Sequence, residues 1–175
     1  AQWLRFKNMT IQNTNNVYGI VVQVSGNATG VANQVQFVNN KIIGIVATTS
    51  SANMYSVYSP STYNIQNITF LRNQIINGSY GIYLAGNATT TTGNIIDSNT
   101  FTNFYYAGIY SLNNERKLKI RYNTLQSNLG NVTYGIYVNG SQNVLTPEDT
   151  SVVIQYNNIN IPYSNTAIYG IYAST

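Results

Sequence analysis

Residues 67–84 read NITFLRNQIINGSYGIYL, and this stretch decides the fold. It holds two short patterns that recur along the whole chain. The first is apolar-x-x-Asn-x-apolar, here Phe70…Asn73…Ile75. It returns as Phe37…Asn40…Ile42, Ile96…Asn99…Phe101, Ile120…Asn123…Leu125 and Ile154…Asn157…Ile159, with an imperfect copy Phe6…Met9…Ile11. The second is Tyr-Gly-Ile-Tyr or a close variant, at Tyr18–Val21, Tyr55–Tyr58, Tyr80–Tyr83, Ala107–Tyr110, Tyr134–Tyr137 and Tyr169–Tyr172. The two alternate strictly. Successive copies of the first, counted from Met9, lie 31, 33, 26, 24 and 34 residues apart. Constant anchors with variable intervals describe a coil of short strands whose connecting loops tolerate insertion.

Strand geometry supplies the reason. Around the first anchor the residues alternate: Leu118 and Ile120 in, Lys119 and Arg121 out. One such strand cannot bury its apolar row alone, whereas rungs stacked at about 4.8 Å align equivalent Ile and Phe residues into one core. The column Asn40, Asn73, Asn99, Asn123 and Asn157 is expected at a sharp bend, because Asn tolerates left-handed backbone. Stacked amides there can also hydrogen-bond along the column.

Residues 67–84 resemble the parallel β-helix repeat of pectin-lyase-like proteins, and the likeness covers nearly the whole chain. It implies an all-β, single-stranded, right-handed parallel β-helix of about six rungs, occupying residues 1–175 as one domain. That fold carries lyases, hydrolases, tailspikes, adhesins and inert stalks, so it does not specify function.

Composition narrows the chemistry. Charged residues are 7% of the chain and apolar ones 43%, so the surface is built from Asn, Ser, Thr, Gln and Tyr around a real core. There is no Cys and no His, which removes thiol chemistry, Ser-His-Asp triads and His-metal sites from this chain. The resemblance implies that enzymes of this fold act on polysaccharides through clustered carboxylates. Here the acids are Asp97, Glu115, Glu148 and Asp149. No two occupy equivalent positions in adjacent rungs. Asp97 is expected to face outward beside Arg121 as an exposed lateral ion pair, and the other three fall in turns. The expectation is therefore no catalytic residue, no metal and no cofactor.

Eight basic residues give a net charge of +4, too sparse for a nucleic-acid surface, and Arg116, Lys117, Lys119 and Arg121 read as a solvated face. No stretch approaches the roughly 20 apolar residues of a membrane span. Protonating every acid raises the net charge only to about +8, so few groups link protonation to stability. A composition so poor in ionisable groups resembles that of surface glycoproteins of thermoacidophilic archaea.

Outward alternation places Tyr58, Tyr83, Tyr110, Tyr137 and Tyr172 in one column, with Val21 above them. Such a strip has two readings: a stacking platform for an extended glycan, or rings packed on each other under loops or a neighbouring subunit. The preceding column, Tyr18, Tyr55, Tyr80, Tyr134 and Tyr169, is expected to face inward or sit at a corner. Seven Asn-x-Ser/Thr sites occur, close to what a composition this rich in Asn, Ser and Thr yields by chance. Five of them, Asn27, Asn77, Asn87, Asn131 and Asn139, fall in expected loops or turns, and glycans there would imply export.

No cap is evident near Trp3 or at Tyr169–Thr175. Two readings follow: the coil continues in a longer surface protein, or the ends stack on neighbouring copies as a head-to-tail filament. The composite expectation is an extracellular or cell-surface structural module of a filament, appendage or adhesin. The alternative is a polysaccharide-binding or polysaccharide-degrading β-helix.

Overall fold

The computed structural model describes residues 2–15, 18–27, 30–51, 53–61, 64–86, 91–113, 117–140, 152–163 and 167–174. These form a parallel β-solenoid of about five turns, with no helix among the described residues. Each turn contributes one strand to each of three parallel sheets, so every sheet has strands at six levels. Sheet I stacks Gln2–Lys7, Ala32–Val38, Thr69–Leu71, Ile95–Asp97, Lys119–Arg121 and Val153–Gln155, with Ile65–Gln66 pairing beside Ala32–Val38. Sheet II stacks Thr10–Gln12, Lys41–Ile43, Gln74–Ile76, Thr100–Thr102, Thr124–Gln126 and Asn158–Asn160. Sheet III stacks Val22–Gln23, Tyr55–Ser59, Tyr80–Ala85, Ala107–Leu112, Tyr134–Asn139 and Tyr169–Ser174.

The register aligns the inward residues of all six levels. Sheet I contributes the column Phe6, Phe37, Phe70, Ile96, Ile120, Ile154. Its three phenyl rings stack with centroids 5.0 Å apart. Sheet II contributes Ile11, Ile42, Ile75, Phe101, Leu125, Ile159. Sheet III contributes Val22, Val57, Ile82, Ile109, Ile136, Ile171. In the middle levels these side chains are fully buried, each contributing about 1.5–3 kcal/mol. The inward column through Leu84 and Val138 also holds two buried serines. Ser59 Oγ donates to Ala85 O at 3.4 Å, whereas the Ser111 hydroxyl has no hydrogen-bond partner among the described residues. A buried polar group left unmet costs about 1–3 kcal/mol. Ser111→Ala should therefore raise unfolding free energy by about 1 kcal/mol in a denaturant titration. A clear loss of stability would show that the hydroxyl is satisfied.

The bend between sheets I and II carries the asparagine column, and it works differently from the expectation. The ladder asparagines do not adopt the left-handed conformation. The residue just before each of them does: Asn8, Asn39, Arg72, Ser98, Tyr122 and Tyr156 all have φ between 54° and 57°. The turn needs a positive φ at that point whatever the side chain, at a cost of about 1 kcal/mol per non-glycine residue. The following Asn offsets it through its amide. In each of Asn40, Asn73, Asn99 and Asn123, Nδ2 donates to Oδ1 of the next-level Asn at 2.9–3.1 Å. The backbone N–H donates to the same oxygen at 2.8–3.0 Å. Its second Nδ2 hydrogen reaches back to a main-chain carbonyl of the preceding level, for example Asn73 to Phe37 O at 2.9 Å. Asn73, Asn99 and Asn123 thus make two donations and two acceptances each, and Asn40 makes two donations and accepts once, from Met9 N–H.

A second bend repeats at the entry to sheet I, where Trp3, Gln34, Asn67, Gly93 and Lys117 align by register and all have positive φ. Both bends therefore follow the same column rule.

Candidate functional site

The most distinctive surface is the outer face of sheet III. Its glycines explain how it forms. A Cβ on Gly81 would lie 2.7 Å from the Phe101 ring and 2.6 Å from the Gly108 carbonyl oxygen. At Gly108 it would meet Leu125 at 2.5 Å, and at Gly135 it would meet Ile159 at 2.7 Å. At these three levels the strand enters sheet III pressed against the core side chains of sheet II, and a residue without a side chain fits; at the level above, the equivalent residue is the buried Ser56, whose Oγ donates to Asn77 O at 3.1 Å. Tyr80, just before this corner, turns outward.

Both tyrosine columns consequently share one face. Tyr58, Tyr83, Tyr110, Tyr137 and Tyr172 are in register across five levels. From Tyr83 to Tyr172 they stack nearly parallel, with interplanar angles of 3–8° and centroids 4.1–5.2 Å apart. Tyr55, Tyr80, Tyr134 and Tyr169 lie alongside: Tyr80, Tyr134 and Tyr169 are edge-on to the first set, and Tyr55 stacks on Tyr58 and Tyr83. The column expected to face inward or sit at a corner thus joins the outer aromatic surface at Tyr80, Tyr134 and Tyr169, while Tyr55 is buried against its neighbours. At the fourth level the anchor has Ala107 instead of Tyr, and Tyr106 supplies the ring, 5.2 Å from Tyr80 and 5.6 Å from Tyr134. Sequence reading missed Tyr106. The available signal was an aromatic residue one place before the anchor in the only copy that lacks one.

The top of the column also differs from expectation. Val57 pairs with Val22 and Tyr58 with Gln23, so the first copy is displaced by two residues and Gln23, not Val21, stands above Tyr58. A shift of two preserves which residues face in, and Val22 and Val24 are buried.

Packing leaves the ring faces of Tyr83, Tyr110 and Tyr137 covered by one another, and the three residues remain half-buried. Sugar stacking needs an open ring face. Burial, and secondarily the neighbouring phenols, hold the hydroxyls of Tyr55, Tyr80, Tyr83, Tyr110 and Tyr134 above the usual phenol range near 10. The unfolded chain ionises near pH 10 while the folded one stays protonated. Stability is thus fully present below about pH 10 and is lost as pH rises beyond it. Melting temperature should be level up to about pH 9 and fall steeply above about pH 10, with the phenolate absorbance of these five packed tyrosines appearing together with unfolding. A melting temperature unchanged through about pH 11 would contradict this.

Asp97 and Arg121 are in register, and Arg121 Nε donates to Asp97 Oδ2 at 2.6 Å. Ser98 Oγ donates to the other carboxylate oxygen at 2.6 Å. The pair forms where alternation placed it, but it is not an exposed one: Asp97 retains only 8% of its surface. Glu115, Arg116, Glu148 and Asp149 lie outside the described residues, as does Asn87. Of the other four loop candidates, Asn27 and Asn131 are exposed, as are the two remaining sequons, Asn8 and Asn67. Asn77 turns its Nδ2 to Gly44 O at 3.3 Å, and Asn139 is not in a loop but ends a strand of sheet III, its Nδ2 on Tyr137 Oη at 3.0 Å.

At the first and sixth levels, apolar side chains are left uncovered by the described residues. At the first level an apolar hollow of about 330 Å³ is lined by Leu4, Phe6, Ile11, Val22, Val24 and Val35. Trp3 is 75% exposed beside it, and at the sixth level Ile171 is 52% exposed. No family model, no curated protein and no solved structure matches this chain.

Proposed function

We propose that this chain is a non-enzymatic structural module of an extracellular or cell-surface filament, appendage or adhesin, and that its copies stack head to tail. The observation that supports this most is the match between the two ends. The inward columns finish on Ile154, Ile159 and Ile171 and begin on Phe6, Ile11 and Val22. A second copy seated in register would place Phe6 over Ile154, an aromatic–aliphatic step already made inside the coil between Phe70 and Ile96. It would also cover the apolar hollow and pair the open strand edges. The pectin-lyase-like kinship belongs to this reading as a relation of fold, with Asn27 and Asn131 as the exposed glycan acceptors among the loop candidates. A row of stacked rungs with neutral outer faces does mechanical work, and no catalytic role is assigned to Asp97.

The test is sedimentation velocity over a concentration series, with electron microscopy of the concentrated protein. Unbranched rods one solenoid wide are expected. A monomer at every concentration overturns the reading. Polysaccharide binding is the second reading, favoured by the tyrosine face. It predicts retention on a neutral glycan that Tyr110→Ala and Tyr137→Ala abolish, without any end-to-end assembly.

A further inference from the structure

The amide ladder is complete inside the coil and incomplete at both of its ends. Asn157, at the sixth level, accepts from Asn123 N–H and Nδ2 and donates one Nδ2 hydrogen to Ile120 O at 2.9 Å. Its backbone N–H and its other Nδ2 hydrogen have no partner among the described residues. In every lower level those two donors meet the Oδ1 of the next asparagine. At the first level the equivalent position is Met9. The backbone there is already built for the ladder: Asn8 has the same left-handed φ, 57°, and Met9 N–H donates to Asn40 Oδ1 at 3.0 Å. Only the amide is missing.

We propose that Met9 sets the strength of the end-to-end contact, making each junction between copies weaker than any step inside the coil. This rests on the head-to-tail reading above. When a second copy seats on the sixth level, its Met9 comes over Asn157 and offers no oxygen to the two waiting donors. Those donors are removed from water without compensation, which penalises the contact. The neighbouring carbonyl of Ile154 likewise receives no Nδ2 donor from above, unlike Phe6, Phe37, Phe70, Ile96 and Ile120. The junction is therefore the step at which a rod opens and closes, and rod length responds to protein concentration.

Met9→Asn should complete the ladder across the junction. Association measured by sedimentation velocity should tighten by at least about tenfold, which equals about 1.4 kcal/mol. Met9→Leu, which keeps the volume and adds no acceptor, should associate like the wild type. Adding Asn157→Ala to Met9→Asn should remove the gain. Thermal melts of each variant check that the coil itself is retained. If wild type and Met9→Asn associate equally, or if Met9→Leu gains as much, the inference about Met9 is overturned and head-to-tail stacking stands. If neither wild type nor Met9→Asn associates, both are overturned.

Discussion

Asn99→Ala is expected to destabilise the coil by about 3 kcal/mol or more in denaturant unfolding. Asn99 is 1% exposed. Its Oδ1 accepts from the Asn73 backbone N–H at 2.8 Å and from Asn73 Nδ2 at 2.9 Å. Its Nδ2 donates to Phe70 O and to Asn123 Oδ1, both at 3.0 Å. Alanine removes all four bonds and leaves the partners buried. Each unmet group costs about 1–3 kcal/mol, and relaxation or an entering water recovers only part of the total. Asn99→Asp should be worse at neutral pH. A carboxylate cannot donate to Phe70 O or to Asn123 Oδ1, and burial disfavours its charge. Its folded-state pKa is then raised, so its stability should be recovered in acid and lost as pH rises through that value. The control is Asn158→Ala, exposed and one residue past the ladder position Asn157, which should fall within about 0.5 kcal/mol of wild type. Equal effects at 99 and 158 would show that the ladder does not hold the rungs together.

The second large effect is expected at Gly81. Its backbone conformation is not left-handed, so the requirement for glycine there is spatial. In Gly81→Ala the new methyl would sit 2.6 Å from the Gly108 carbonyl oxygen, an atom held by the next rung. Relieving the contact means moving strands apart against the pairing of Tyr80–Ala85 with Ala107–Leu112. Overpacking of a well-packed core costs typically about 1–3 kcal/mol, and a clash with backbone places this variant at the upper end. Gly170 occupies the same place in the last copy of the motif and has nothing within 4 Å of its Cβ position. Gly170→Ala should therefore be tolerated in the isolated chain. Similar melting temperatures for the two variants would contradict the corner geometry.

Much of this architecture was legible because a parallel coil repeats its constraints at each level. The inward alternation, the column of asparagine amides and the pairing of Asp97 with Arg121 all follow from strand period and equivalent position. What escaped the reading were features that depend on three-dimensional crowding. The left-handed residue precedes each ladder asparagine, and nothing in the identities Arg72, Tyr122 and Tyr156 announces such a backbone. Tyr80 and its equivalents turn outward because sheet II side chains fill the corner where Gly81 lies, a contact between segments some twenty residues apart. Tyr106 replaces an absent ring by position in space instead of position in the motif. The two-residue displacement of the first copy of the second anchor left the apolar pattern intact, so periodicity alone was blind to it.

The tyrosine face also changes its meaning once its packing is known. Ten rings, Tyr55 to Tyr172 in two columns, make contact across five levels. Their faces are spent on each other, which ties adjacent rungs together on the outside as the amide ladder does at the bend. Three parallel columns of contacts, aliphatic, amide and aromatic, thus run along the coil axis; in a head-to-tail junction the aliphatic one would continue, while the amide column would meet Met9 and the aromatic column Gln23.

Cryo-electron microscopy of the assembled protein, with helical reconstruction, tests that claim most directly. Six levels at about 4.8 Å predict an axial rise of ~29 Å per copy, with all three sheets continuous through the contact between the sixth level of one copy and the first level of the next. Rods joined through the tyrosine face, or with an axial repeat unrelated to that rise, would contradict head-to-tail stacking in register.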